Sequence, residues 1–98
     1  MTINKVKNGS ELILELEGRL DTTTAPQLDA ELNAAIEGVT SLVFDLKGLS
    51  YLSSAGLRIL LSTQKKMNVQ GSMVIRNVNE TIAEIFSITG FTDILNIE

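Results

Sequence analysis

Cysteine and histidine are both absent from the 98 residues. Their absence rules out a disulfide framework, a Cys/His zinc site and a cysteine nucleophile. Basic residues are also scarce. Eight Lys and Arg stand against twelve Asp and Glu, giving a net charge of -4, and only Lys65 and Lys66 are adjacent. Non-specific binding to nucleic acid or to an anionic membrane needs a basic face, and none is written here. Long hydrophobic runs are missing too. No stretch approaches the length of a membrane span, and Met1 to Lys7 lacks the apolar core of a signal peptide. A cytoplasmic location is expected. Neither a P-loop nor a dinucleotide fingerprint occurs, so no cofactor and no enzymatic activity are expected.

Apolar residues make up 44% of the chain, enough for one core, and the length fits a single domain over residues 1–98. Leu12, Leu14 and Leu16 alternate with Ile13, Glu15 and Glu17, a period of two that predicts a strand. A weaker strand from Thr2 to Lys7 precedes it across Asn8-Gly9-Ser10, a hairpin signal, so these two are expected to be antiparallel.

Thr22-Thr-Thr-Ala-Pro26 reads as a helix start. Leu28, Leu32, Ala35 and Ile36 then recur at helical spacing until Gly38. Ser41 to Asp45 reads as a short buried strand. After a loop, Leu57, Leu60, Leu61 and Gln64 mark one face of a second helix, with Lys65 and Lys66 placed near its negative end. Ser72 to Arg76 is a strand following Gly71. Asn79 caps a third helix carrying Ile82, Ile85 and Phe86, and Gly90 closes it. Ile94 to Ile97 is read as a last strand. The order β-β-α-β-α-β-α-β predicts an α/β fold with a mainly parallel sheet and the helices mostly on one face. Met67, Met73, Phe86 and Phe91 are expected in the core.

The stretch from Asp45 to Leu57 leads from a strand's C-terminal end into a helix, the edge where α/β sheets form sites. Ser53 and Ser54 fall at the helix N-terminus, where unpaired N–H groups and the dipole favour negative charge. Gly56 permits close backbone approach. From these residues alone, a capping serine and a packing glycine are the favoured account, and a capping hydroxyl can also carry a phosphate in another state. Asp21 and Asp45 are the carboxylates at strand ends before helices. They fit loop or cap roles better than an acid–base pair or a Mg²⁺ site. Tyr51, the one tyrosine, fits either an interface anchor or a half-buried loop aromatic.

Asp45-Leu-Lys-Gly-Leu-Ser-Tyr-Leu-Ser-Ser-Ala-Gly-Leu57 resembles the signature of STAS domains. Gly18-Arg-Leu-Asp21, the threonines after it and Ala25-Pro26 resemble the same family's earlier motif, and the third helix with Gly90-Phe91 is similar as well. The match spans nearly the whole chain. Within the family, the resemblance implies an anti-sigma factor antagonist. Such proteins bind an anti-sigma factor that doubles as a serine kinase, are switched off by its phosphorylation of a serine, and are restored by a phosphatase. That serine corresponds to Ser54. Asp21, Thr22, Tyr51, Ser53, Ala55, Gly56 and Leu57 would form the partner surface. Ser53 stands where the family commonly has Asp, which leaves Ser53 as a lesser phosphoacceptor. It also keeps open a second role, an unphosphorylated adaptor subunit of a lipid-transport ATPase complex. No nucleic acid, membrane or metal is implied, and a monomer or weak dimer is expected.

Overall fold

The computed structural model describes all 98 residues, Met1–Glu98. Its elements run β1 (Thr2–Asn8), β2 (Glu11–Leu20), α1 (Ala25–Ala35), β3 (Ser41–Leu52), α2 (Ser54–Gln70), β4 (Ser72–Arg76) and α3 (Glu80–Thr89), followed by a 3-10 turn at Phe91–Asp93. The four strands form one sheet in the order β1-β2-β3-β4. β1 is antiparallel to β2 across the tight turn at Gly9-Ser10, and β2, β3 and β4 are parallel.

The alternation in β2 decides which way the sheet faces. Leu12, Leu14 and Leu16 are aligned with Leu42, Phe44 and, through β3, with Met73 and Ile75. All of these except Leu16, which lies beside a bulge and pairs only with Ile3 of β1, have a direct register partner in a neighbouring parallel strand. All are buried in one cluster with Leu28 and Leu32 of α1, Leu60 and Met67 of α2, and Ile82 and Phe86 of α3. The helices therefore share one face, as right-handed crossovers advancing in one direction require. Burying each such leucine or phenylalanine is worth about 1.5–3 kcal/mol, so this face supplies the main driving force. The opposite face is short of apolar side chains. Val43 is the one buried hydrophobic residue left outside the cluster, and it lies between Ile13 and Val74 in register.

Three expectations need correcting. First, β3 does not stop at Asp45. It continues to Leu52, so the stretch read as a loop is mostly strand. Three residues of β2 (Glu15 to Glu17) span four of β3 (Asp45 to Gly48), and the two from Gly18 to Arg19 span the three from Leu49 to Tyr51. These bulges give β3 extra residues and break its alternation. Leu46, Leu49 and Leu52 are all buried at a spacing of three, which hides the strand from a period-two reading. Second, no strand forms at Ile94–Ile97. Gly90, at φ 80°, ends α3 and starts the 3-10 turn. That turn delivers Leu95 to the core, 5% exposed, and leaves one parallel bridge, Ile97 beside Ile75. Third, α2 runs on to Gln70, so Lys65 and Lys66 stand one turn short of its end and no basic residue occupies the last turn.

The capping residues of α3 behave as expected. Asn79 Oδ1 accepts from the Ile82 N–H at 2.9 Å, and its amide nitrogen donates to the Leu49 carbonyl at 2.8 Å. One side chain thus caps a helix and ties it to β3. Met67 and Met73 lie in the core, as does Phe86, with Phe91 half-buried against it.

Candidate functional site

β2 and β3 end side by side, with Leu20 opposite Leu52. The Ser53 N–H donates to the Leu20 carbonyl at 2.9 Å. The Asp21 turn and the start of α2 therefore emerge from adjacent strands at the carboxyl edge of the sheet, the edge where ligands and partners meet open α/β folds. Gly56 sets how closely α2 sits over this edge. A Cβ built on it would come 2.5 Å from Leu52 Cδ1 and 2.7 Å from Leu20 Cγ, so only hydrogen fits between the helix and the strand ends.

Ser53 is the N-cap residue of α2 in extended conformation, but its side chain makes no capping bond. Its hydroxyl oxygen is buried and has no partner. Ser54, the first helical residue, is exposed. The first backbone bond of the helix runs from the Leu57 N–H to the Ser53 carbonyl at 3.0 Å. The N–H groups of Ser54, Ala55 and Gly56 take no part in any hydrogen bond. No acidic residue lies in the first turn. The start of a 17-residue helix is thus left with free donors beside an exposed hydroxyl.

Asp21 organises the neighbouring turn. Its Oδ1 accepts from the Thr23 hydroxyl at 2.7 Å, the Thr23 N–H at 3.0 Å and the Thr24 N–H at 3.2 Å. The Thr24 hydroxyl donates in turn to the Arg19 carbonyl at 2.8 Å and accepts from the Asp21 N–H at 2.9 Å. Carboxylates that collect donors in this way favour the charged form. The Thr23 hydroxyl, helped by the backbone N–H groups, lowers the Asp21 pKa to about 2. Asp21 is therefore a fixed negative charge in a locked turn, with Thr22 exposed beside it. Asp21–Thr24 is an Asx-type turn, and Thr24 is the N-cap residue of α1 ahead of Pro26 but makes no side-chain capping bond.

Three further residues bear on the site: Arg19, which belongs to the Gly18–Asp21 motif, Ser50 and Arg58. Arg19 lies in register with Tyr51 across the parallel strands, and its guanidinium stands 4.3 Å from the centre of the tyrosine ring. It also pairs with Asp21 at 3.6 Å. The Ser50 hydroxyl clips the same strand ends together, donating to the Gly18 carbonyl at 2.9 Å. Arg58 lies one turn into α2. It shares a shallow groove between α1 and α2 with Thr22, Ala25, Asp29 and Ala55. Arg19 stands in the Gly18–Asp21 motif, and only the pairing of two strands reveals its contact with Tyr51; Arg58 could have been found as the residue four after Ser54.

The structure brings together Asp21, Thr22, Tyr51, Ser53, Ser54 and Ala55. It moves Gly56 and Leu57 inside. Leu57 is 7% exposed and in the core cluster, and Gly56 is buried. These two support the surface and offer a partner little to touch, because the first turn of α2 must pack its inward side onto Leu20 and Leu52. Asp45 does not reach this edge. Its carboxylate accepts from the Lys47 N–H and the Asn77 side chain, both at 3.0 Å, so it braces the β3 bulge and the chain after β4. No cluster of three metal-ligating side chains occurs.

The STAS domain family matches residues 2–98. The chain belongs to this family. A candidate anti-sigma factor antagonist of Bordetella bronchiseptica, BtrV, is 38% identical over 96% of this chain and 81% of its own length. The anti-sigma-B factor antagonist of Bacillus subtilis is 31% identical over 99% of this chain and 90% of that protein. Among solved structures, an anti-sigma factor antagonist from Mycobacterium paratuberculosis superposes with a TM-score of 0.89 at 23% identity, covering 98% of this chain and 83% of the other. The Bacillus cell fate determinant SpoIIAA in its phosphorylated form gives 0.77 at 21%, covering 99% and 91%. At these identities the structural likeness establishes the shared fold, here the STAS fold.

Proposed function

We propose that this STAS domain is an anti-sigma factor antagonist, a binding module without turnover of its own, whose partner is an anti-sigma factor with serine kinase activity. In this reading the unmodified surface around Ser54 binds the anti-sigma factor and frees a sigma factor. Phosphorylation of Ser54 ends binding, and a phosphatase restores it. The observation that carries the reading is the exposed hydroxyl of Ser54 on an α2 start whose first N–H groups have no partner. The names of the related proteins support it. No helix is long and apolar enough to cross a membrane, and we place the protein in the cytoplasm, where a kinase would find ATP.

The switch follows from charge and desolvation. A phosphoserine carries about -1.5 to -2 charges at neutral pH. The domain itself tolerates that charge, because the helix start offers donors and a favourable dipole. A docked partner does not, since the added group is bulky and its charge must be stripped of water at the interface. Charging a central interface position costs on the order of 2 kcal/mol or more, about a thirtyfold loss of affinity. Asp21 and the Arg19–Tyr51 pair flank the serine and would give the partner a polar rim.

The test is incubation with the anti-sigma factor kinase of the same genome and ATP, with mass spectrometry to locate the phosphate. It is paired with calorimetric titration of that kinase by the wild type, Ser54→Ala and Ser54→Glu. Phosphate on Ser54, retained binding by Ser54→Ala and weak binding by Ser54→Glu are expected. Equal affinities for Ser54→Glu and wild type would end the proposal. The adaptor role rests on Ser53 in the usual Asp position. It predicts the opposite outcome, stable binding to a transporter ATPase and no phosphate on either serine.

A further inference from the structure

The chain has three arginines. Arg19 pairs with Asp21, and Arg76 with Glu98 at 3.3 Å. Arg58 has no carboxylate within ion-pair distance and donates no side-chain hydrogen bond, although it is exposed in the groove that Asp29 also lines. It sits on α2 four residues after Ser54. Residues at that spacing are neighbours on one helix face, and helical side chains lean back toward the N-terminus, so the arginine at the later position reaches over the turn that bears the earlier one.

We propose that Arg58 is the intramolecular receiver of a phosphate on Ser54, a positioning residue that holds the modified side chain against α2. The inference rests on the phosphorylation proposed above and specifies how the modified state is built. The free N–H groups of Ser54, Ala55 and Gly56 approach the phosphate from the helix end. The guanidinium closes it from the groove side, with a planar donor fork suited to phosphate oxygens. Arg19 does not compete for this role, because its guanidinium is already committed to Asp21 and the Tyr51 ring. Asp29 of α1 lines the same groove as Arg58, and Asp21 lies in the turn at the same sheet edge; both negative charges oppose the dianion. Arg58 is the countercharge that offsets them. The phosphorylated form then loses the free guanidinium from the α1–α2 groove at the same moment that it gains charge at the helix start, so two features of the partner surface change together.

The experiment uses the full chain with phosphoserine incorporated at position 54 during translation, so that no kinase is needed. The second ionisation of the phosphate is followed by ³¹P NMR against pH in the wild type, in Arg58→Gln and in Arg58→Lys. A free phosphoserine titrates near about 6. Pairing should hold the wild-type value about 0.3 unit below that of Arg58→Gln, with Arg58→Lys in between. In the wild type the Arg58 side-chain N–H resonance should titrate in step with the phosphorus signal, a readout that needs no variant. Equal phosphate titration in wild type and Arg58→Gln, or an Arg58 resonance indifferent to the phosphate, overturns the proposal. Neither result bears on whether a kinase modifies Ser54, and absence of kinase activity toward Ser54 would leave the measured pairing intact.

Discussion

Gly56→Ala adds one methyl group to the first turn of α2, where two effects of opposite sign meet. Alanine is the better helix former, by about 1 kcal/mol in a helix interior, and less than that in a first turn whose N–H groups are unpaired anyway. Against this stands the contact geometry. The new Cβ would lie 2.5 Å from Leu52 Cδ1, 2.7 Å from Leu20 Cγ and 2.9 Å from Leu20 Cδ2, where unstrained carbon pairs sit at about 3.5–4.0 Å. Leu52 can turn its terminal methyl aside. Leu20 Cγ moves only with its whole side chain, and Leu20 is fully buried. Overpacking of this kind costs about 1–3 kcal/mol, so the net expectation is a loss of about 1–2 kcal/mol. Urea unfolding should show a lower midpoint with unchanged slope, and the melting temperature should fall by about 4–8 °C for each kcal/mol lost. Because the relief of strain requires α2 to lift from the strand ends, Ser54 shifts with it and affinity for the anti-sigma factor should fall as well. A coupled variant isolates the cause. Leu52→Ala alone leaves a cavity, but in the Gly56→Ala background part of that space is used, so the double variant should be less destabilised than the sum of the singles. A Gly56→Ala protein as stable as wild type or more so would refute the packing argument and leave only helix propensity.

Other expectations follow from the same geometry. Asp21, with its pKa lowered to about 2 by the Thr23 hydroxyl first and by backbone N–H groups, stabilises the turn above the ordinary carboxylate range, and that contribution is lost as pH falls from about 4 through about 2. Thr23→Ala should raise the Asp21 value back toward 3.8, read from the carboxyl carbon in an NMR titration. An unchanged value would mean that the hydroxyl bond is not formed in solution. Asn79→Ala removes both the α3 cap and the tie to the Leu49 carbonyl and should cost about 1–2 kcal/mol in denaturant unfolding. A loss below about 0.3 kcal/mol would show that water replaces both bonds without penalty.

Much of this domain was legible in one dimension because the forces concerned act between near neighbours. Leu12, Leu14 and Leu16 marked β2 and its inward face, Asn8-Gly9-Ser10 the hairpin, and Asn79 with Gly90 the two ends of α3. Each is a contact or dihedral preference within four residues. The serine pair before Ala55-Gly56-Leu57 was legible for the same reason, since a helix start is a local event. Tertiary structure decided what depends on register. Packing of the first turn of α2 onto Leu20 and Leu52 turned Gly56 and Leu57 inward. The bulges opposite Glu15–Glu17 and Gly18–Arg19 carried β3 past Asp45 to Leu52 and set Arg19 over Tyr51. They arise where β2 meets β3 some thirty positions away, as with the Gly18–Ser50 bond, and nothing in either segment alone encodes the offset. The C-terminal segment belongs with these. Its residues have strand-like composition, but the 3-10 turn carries Leu95 into the core, and only Asn96 to Glu98 run beside β4, with two backbone bonds to Ile75.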